Sequence, residues 1–418
     1  MRHFLLVVFS VFFVTACATL PPAASNQQMS AEPIVIMVGI DGLRWDAIDR
    51  YDAPTLEALA AEGVRAKSMT PVMPSKTFVN FYSLATGLYA DSTGITGNLP
   101  YSKEYDEVMG RDMHGETRWW GGEPIWVTAE KQGVKTAAMF WLGSEAEIKG
   151  TRPNHWMPYE HTKPHVERVD QVLEWLALPE AERPRLLTIY FSDVDSAGHR
   201  YGPETPEVGN ALKKVDDSLA DLRVGIKKLG LTDRVNLVIV SDHGMTKIDP
   251  EFMVYLDDYI SMDNLFVPSF HSQAGPHSDP FVHIFAKEGA DIDELYSKLK
   301  GAHTGMQVYK REDIPADWHL NNEDRTGDIF AVVDEGGMIF VRDLTSTYKY
   351  PAIGMHGYDR FAQDMQATFI AAGPNFKKGV KAKAIENVEV YGIIARALRL
   401  NPAKTDGNIE NVEYFMLP

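Results

Sequence analysis

Six residues of two chemical types stand at or just beyond the ends of apolar runs in this chain. Asp41 closes PIVIMVGI, Asp195 and His199 lie in SDVDSAGH, Asp242 and His243 follow VNLVIV, and His356 lies in GMHGYD. A carboxylate at the end of a buried strand is costly unless it is paired, hydrogen-bonded or bound to a cation. One such aspartate is usually a cap or turn residue; three in the same topological position point to a site. Three carboxylates with three imidazoles are the ligand set of a two-metal hydrolase, in which one ion activates a nucleophile and the other stabilises phosphoryl oxygens. A mixed oxygen and nitrogen set without thiolate suits two Zn²⁺ per chain, with Mn²⁺ or Co²⁺ as substitutes, and suits Mg²⁺ or Ca²⁺ poorly. Asp195 and His199, with Gly198 between them, are expected to reach one ion through a tight turn, while the adjacent Asp242 and His243 converge on the other from a loop.

The stretch PSKTFVN at 74–80 is where the reaction is expected. A helix over 77–85 would begin at Thr77, and a helix N-terminus favours an anionic phosphate and a developing alkoxide. A threonine hydroxyl is a weak nucleophile until a bound ion shifts it toward alkoxide. Of the remaining histidines, most are expected to be solvated or structural, with His277 in AGPHSDP the first to reconsider.

The elements that must carry these residues follow from periodicity. Continuous β-branched runs at 33–40, 185–191, 235–240 and 367–372 read as buried parallel strands ending at a site. Further strands are expected at 64–70 and 134–141, and helices at 54–61, 206–229 and 387–398. Alternating strands and helices predict an α/β fold, a mostly parallel sheet covered on both faces with its ligands at the carboxyl ends of the strands. Residues 98–165, rich in Trp, Tyr, Gly and Pro, read as a loop-rich insertion on the substrate side. A smaller subdomain is expected over about 246–349.

The N-terminus reads as an export signal: a basic start, an apolar run over 4–14, and Val14-Thr15-Ala16-Cys17. The run is too short to span a bilayer. Its end resembles a bacterial lipobox, so residues 1–17 are expected to be a signal with Cys17 lipidated, the product being periplasmic and anchored to the outer membrane. Residues 18–32 then form a flexible tether, and residues 33–418 the catalytic domain. With Cys17 the only cysteine, no intramolecular disulfide can form. The net charge of −17 argues against binding duplex nucleic acid through a basic surface, though not against a small nucleotide held in a cleft.

The motifs VGIDGLRWD, MPSKTFVNFYSLATGLYADSTGITGN, DVDSAGHRYGP, VSDHGM and GMHGYD resemble, in order, those of the nucleotide pyrophosphatase/phosphodiesterase family of the alkaline-phosphatase superfamily. The resemblance implies an alkaline-phosphatase-like fold and hydrolysis of phosphodiester and pyrophosphate bonds of nucleotides through a phospho-threonine. It implies Thr77 as the nucleophile. Asp41, Asp242 and His243 would bind the ion that also touches Thr77, and Asp195, His199 and His356 the second ion. Asn98 would donate to a phosphate oxygen, and Phe78 would face a base or leaving group. Ser92-Thr93-Gly94-Ile95 departs from the Ser-His-Gly-Ile common in the family.

Substrate choice rests on aromatics. Phe78 directly follows the nucleophile, and Trp156 and Tyr159 in RPNHWMPY could supply the opposite wall of a base-stacking slot. Trp119, Trp120, Trp156 and Tyr159 could equally cage a quaternary ammonium, which keeps a choline-type lipid-headgroup phosphodiesterase open. A phosphomonoesterase or phosphonate hydrolase on the same scaffold is the other enzymatic alternative, disfavoured because Lys76 rather than Arg lies beside Thr77. A surface-binding protein without activity is disfavoured by the intact set of Thr77 and six ligands.

Overall fold

The computed structural model describes residue 1 and residues 32–271, 278–342 and 352–418; Cys17, the apolar leader and His277 lie outside the described residues. Residues 32–418 form one compact unit.

The expected apolar runs become strands. In chain order they are β1 (Ile34–Ile40), β2 (Val64–Ala66), β3 (Thr136–Met139), β4 (His155–Trp156), β5 (Leu186–Phe191) and β6 (Val235–Val240). Next come β7 (Leu265–Phe266), β8 (Phe281–Ala286), β9 (Met306–Lys310), β10 (Ile329–Val333), β11 (Phe369–Ala372) and β12 (Val380–Ala382). The principal sheet has the order β12-β2-β11-β6-β1-β5-β3-β4, and β7-β8-β10-β9 make a second, antiparallel sheet. In the principal sheet only β11 runs against its neighbours.

The register explains why three aspartates share one edge. β1 lies between β5 and β6 with Ile40 opposite Phe191 and Gly39 opposite Val240, so all three strands release their chains at the same level. Asp41, Asp195 and Asp242 follow within a few residues.

Pleating sends alternate β1 side chains to opposite faces, and both are buried. Val35 and Met37 join the core beneath α2 (Thr77–Thr86), α3 (Ile125–Lys131) and the C-terminal helix Val390–Ala397. Ile36 and Val38 join the core beneath α1 (Pro54–Glu62) and the helices His165–Leu176 and Pro206–Lys228. A central strand apolar at every position needs such two-sided cover. The second sheet has its own core around Val282, Ile284, Val308 and Ala331.

Two expectations are corrected. The strand over 64–70 divides after Ala66: β2 stays in the principal sheet, whereas Met69–Thr70 pairs with Ile385–Glu386. Lys67 and Ser68 lie at the break, where the chain leaves one sheet for another. The stretch 98–165 also holds more regular structure than its composition suggests, including α3 and β4.

Candidate active site

Asp195 and His199 lie on a helix, α4 (Asp193–Tyr201), and not in the tight turn expected for them. Aspartate, serine and glycine have weak helix propensity in isolation, but here the segment packs along the helix Pro206–Lys228, and tertiary contact overrides propensity. The spacing i, i+4 puts both side chains on one face, with His199 Nε2 3.3 Å from Asp195 Oδ1. Asp41 leaves β1 into a turn whose Gly42 has φ +69, and a Cβ there would stand 2.9 Å from the Asp195 Cα. Only glycine permits that approach.

The six expected ligands converge. His356 Nε2 lies 3.6 Å from Asp195 Oδ1, and Asp195, His199 and His356 form one group able to hold an ion. His243 Nε2 lies 2.9 Å from Asp242 Oδ2 and 3.5 Å from Asp41 Oδ1. Asp195 also falls within reach of Asp41 and His243, so its carboxylate lies between the two groups. The rings of His243 and His356 stack at 3.5 Å, tying the groups together.

Each imidazole is oriented by a backbone carbonyl. Nδ1 of His199 donates to Gly354, that of His243 to Gly244 and that of His356 to Ser75. This tautomer leaves every Nε2 as the free lone pair aimed at the site, the usual arrangement around a metal.

Three carboxylate oxygens, Oδ1 of Asp41, Oδ1 of Asp195 and Oδ2 of Asp242, are buried without a hydrogen-bond partner. Burial, with the charges of Asp242 and Asp195, pushes the Asp41 carboxyl well above the usual range. Burial likewise pushes Asp242 up to about 7, against the hydrogen bond from Gly42. Burial also opposes the charge on Asp195 and is the largest single influence, but His199, His243 and Lys76 together outweigh it and hold that carboxyl below the usual range. Crowded, desolvated carboxylates with orphaned oxygens are what a divalent cation stabilises, so the residues present fit a pair of such ions.

Thr77 is the first residue of α2, and its Oγ1 lies 3.2 Å from His243 Nε2. The loop before it is held by Asn80, whose buried amide accepts from the Val72 N–H and donates to the Val72, Pro74 and Lys76 carbonyls. Asn98 Oδ1 accepts from the Phe78 N–H, which turns its NH₂ group away as the donor end. Behind Asp41, Tyr190 donates its hydroxyl to Oδ2, leaving Oδ1 for the site. Neither Asn80 nor Tyr190 is marked out in the sequence: Asn80 bonds to backbone atoms of a loop, and Tyr190 reads as an ordinary strand aromatic.

A cavity of about 430 Å³ opens beside Thr77, lined by Phe78, Phe140, Trp141, Tyr159 and Tyr190 among others. Phe78 is half-buried, part of it packed on the core, and meets His114 edge to face at 5.2 Å. Tyr159 is 45% exposed, so a ligand can reach its ring. Trp156 is not among the lining residues. It belongs to β4 opposite Ala138, with the Arg152 guanidinium 4.9 Å above its ring. Trp119 and Trp120 are core residues, 1% and 5% exposed, and cannot face a ligand as a cage. Their indoles pack against Arg325 and Tyr82 instead.

The profile of the type I phosphodiesterase / nucleotide pyrophosphatase family matches residues 35–359, which include Thr77 and all six ligands. The chain belongs to this family. Among curated relatives it is 33% identical over 410 residues to a venom phosphodiesterase of Naja atra, covering 96% of this chain and 48% of the relative. It is 33% identical over 415 residues to a bis(5'-adenosyl)-triphosphatase of Xenopus laevis, covering 98% and 86%. The chain thus spans about half the length of the venom phosphodiesterases it matches. A solved structure of murine ectonucleotide pyrophosphatase/phosphodiesterase 5, an inactive threonine-to-alanine variant in complex with AMP, superposes with a TM-score of 0.85 at 30% identity, covering 92% of this chain and all of that one. The mostly parallel sheet with helices on both faces is therefore the alkaline-phosphatase-like fold of that phosphodiesterase.

Proposed function

We propose that this member of the family hydrolyses phosphodiester and pyrophosphate bonds of nucleotides through a covalent intermediate on Thr77, with two Zn²⁺ ions. The observation that carries the reading is the position of Thr77 Oγ1, 3.2 Å from an imidazole of the ligand ring and at the mouth of an aromatic cavity. Asp41, Asp242 and His243 would hold one ion and Asp195, His199 and His356 the other, with Asp195 close enough to serve both. When bound, the ions supply positive charge for the phosphoryl oxygens and lower the pKa of the nucleophile. Thr77 attacks phosphorus, the bond to the leaving oxygen breaks, and water then cleaves phospho-Thr77 to regenerate the hydroxyl. The N-terminus of α2 and the Asn98 amide favour the anionic phosphoryl group. Phe78 and Tyr159 offer ring faces to a base, worth about 1–3 kcal/mol without base-specific hydrogen bonds.

With Trp119 and Trp120 in the core, the cage that would favour a choline headgroup loses two of its four members. Turnover of four reporters sharing one nitrophenol chromophore tests the reading: a thymidine monophosphate ester, bis(4-nitrophenyl) phosphate, the monoester and a phosphocholine ester. The nucleotide ester should have the highest kcat/KM. Preference for the monoester or the phosphocholine ester would overturn it.

The same proposal includes export and lipidation at Cys17, supported by the apolar run over 4–14 and VTAC. Palmitate labelling of the wild type, absent from Cys17→Ser, tests it. Equal labelling of both would remove the anchor.

A further inference from the structure

A buried guanidinium stands behind the wall of the aromatic cavity. Arg168, on the helix His165–Leu176, is 2% exposed, and among the described residues it has no carboxylate within ion-pair distance. A desolvated cation needs compensation, and here it comes from backbone carbonyls. Nε donates to Lys163 O at 2.9 Å, one Nη to Tyr190 O at 2.8 Å and the other to His161 O at 3.0 Å. The guanidinium carbon also lies 5.4 Å from the centroid of the Phe140 ring.

Those partners have one thing in common. Phe140, Tyr190 and His161 all line the cavity, and the segment 157–164 that includes His161 and Lys163 also carries Tyr159. That segment lies between β4 and the helix without regular structure of its own, and among the described residues the His161 and Lys163 carbonyls accept no other hydrogen bond. The Tyr159 ring in turn meets Phe140 at 5.4 Å and Tyr190 at 5.8 Å, both edge to face. One planar fork thus grips a strand, a loop and a ring from behind, a geometry that lysine's single ammonium cannot reproduce.

We propose that Arg168 is the positioning residue of the nucleoside cavity: it fixes the Tyr159 loop against Phe140 and Tyr190 so that the slot is preformed before a base enters. The proposal rests on the nucleotide reading above. Arg168 makes no hydrogen bond to Thr77 or to a metal-ligating side chain, and it grips Tyr190 by the backbone carbonyl and not by the hydroxyl that meets Asp41, so its influence should appear in nucleoside binding and not in the phosphoryl step.

The test compares wild type, Arg168→Met and Arg168→Lys on the nitrophenyl ester of thymidine monophosphate and on bis(4-nitrophenyl) phosphate, with AMP and inorganic phosphate as inhibitors. Arg168→Met should raise KM for the nucleotide ester and Ki for AMP about tenfold or more, leaving kcat, the diester kcat/KM and the phosphate Ki within about twofold. Arg168→Lys, which keeps charge and loses the fork, should fall between. Equal losses on both substrates, or an unchanged AMP Ki, would overturn the proposal. Should the Met variant fail to fold, by circular dichroism, the Lys variant decides on the same criteria. A wild type that does not prefer the nucleotide ester overturns the nucleotide reading and this proposal together, whereas a preference kept equally by both variants overturns this proposal alone.

Discussion

Thr77 combines three features that no neighbouring hydroxyl shares. It begins α2, its Oγ1 lies against His243, and it lines the aromatic cavity. Ser75, the other hydroxyl of the motif, is fully buried and donates to the Tyr358 carbonyl, so it is committed to structure. Thr77→Ala should therefore lower kcat by about a thousandfold or more, with the melting temperature and metal content of the wild type. Single-turnover trapping should find no phospho-enzyme in the variant. Near-normal turnover would transfer the attack to a water molecule. Tyr190→Phe addresses the ligand side, since it removes the donor that orients Asp41. Loss of such a supporting hydrogen bond weakens metal binding by about ten- to a hundredfold, which competition against a zinc chelator will measure; an unchanged affinity would show that the Gly42 turn alone orients Asp41.

At the scale of elements, the segment leading into α2 has little regular structure and is held by side chains. Asn80, fully buried in the first turns of α2, bonds back to Val72, Pro74 and Lys76, and Asn387 donates to its carbonyl and side-chain oxygens from beyond β12. Asn80→Ala leaves several buried polar groups without partners, at a cost of about 2–4 kcal/mol. Urea unfolding should show that loss, and kcat should fall with it as Thr77 loses its fixed approach. Lower stability with unchanged kcat would mean that the loop keeps its shape by packing alone. The second sheet carries a different device on β8. Buried His283 donates Nε2–H to the Thr96 carbonyl and accepts at Nδ1 from the Gly327 N–H, a pair only the neutral ring can make. Burial pushes its pKa down to about 4.

That depression makes a statement about the stability of the whole molecule. The unfolded chain binds the His283 proton below about 6.5 and the native state only below about 4. The contribution is thus complete above pH 6.5, is lost as pH falls from 6.5 to 4, and amounts to about 3 kcal/mol in all. Denaturation midpoints at pH 7 and pH 4.5 should converge less in wild type than in His283→Gln, which keeps a donor and an acceptor but does not titrate. A parallel pH dependence of the two proteins would contradict the assignment. Metal removal acts on the same scale. The candidate ligands come from β1, α4, the β6 edge and the segment after residue 351, so under the two-metal proposal a chelator should both abolish turnover and lower the melting temperature, and Zn²⁺ should restore both. Each site occupied at a thousandfold excess over its Kd is worth roughly 4 kcal/mol. Active protein with fewer than two ions per chain, by elemental analysis, would exclude the two-metal arrangement.

The sequence by itself determined the strands, because Ile34–Ile40 is apolar at every position and Val235–Val240 at every position but Asn236, and such runs can be satisfied only inside a covered sheet. It also determined that Asp41 and Asp242 stand where those strands emerge, and that with Asp195 in the same topological position the three point to a site, although any one alone would read as a cap or turn residue. The helix that carries Asp195 and His199 was not legible, because Asp193-Val194-Asp195-Ser196 favours turns locally and becomes helical only against its long neighbour. The burial of Trp119 and Trp120 and the displacement of Trp156 to a sheet edge were equally hidden, for composition does not say which aromatics face inward. For two of the three imidazoles, only the tertiary structure decided which nitrogen faces the site. That choice belongs to the carbonyls of Gly354 for His199 and Ser75 for His356, 155 and 281 residues away in the chain, whereas His243 is oriented by the carbonyl of the next residue, Gly244. Local pattern constrains what a residue can do, and the long-range contacts that orient it arise from packing, which no short window of sequence contains.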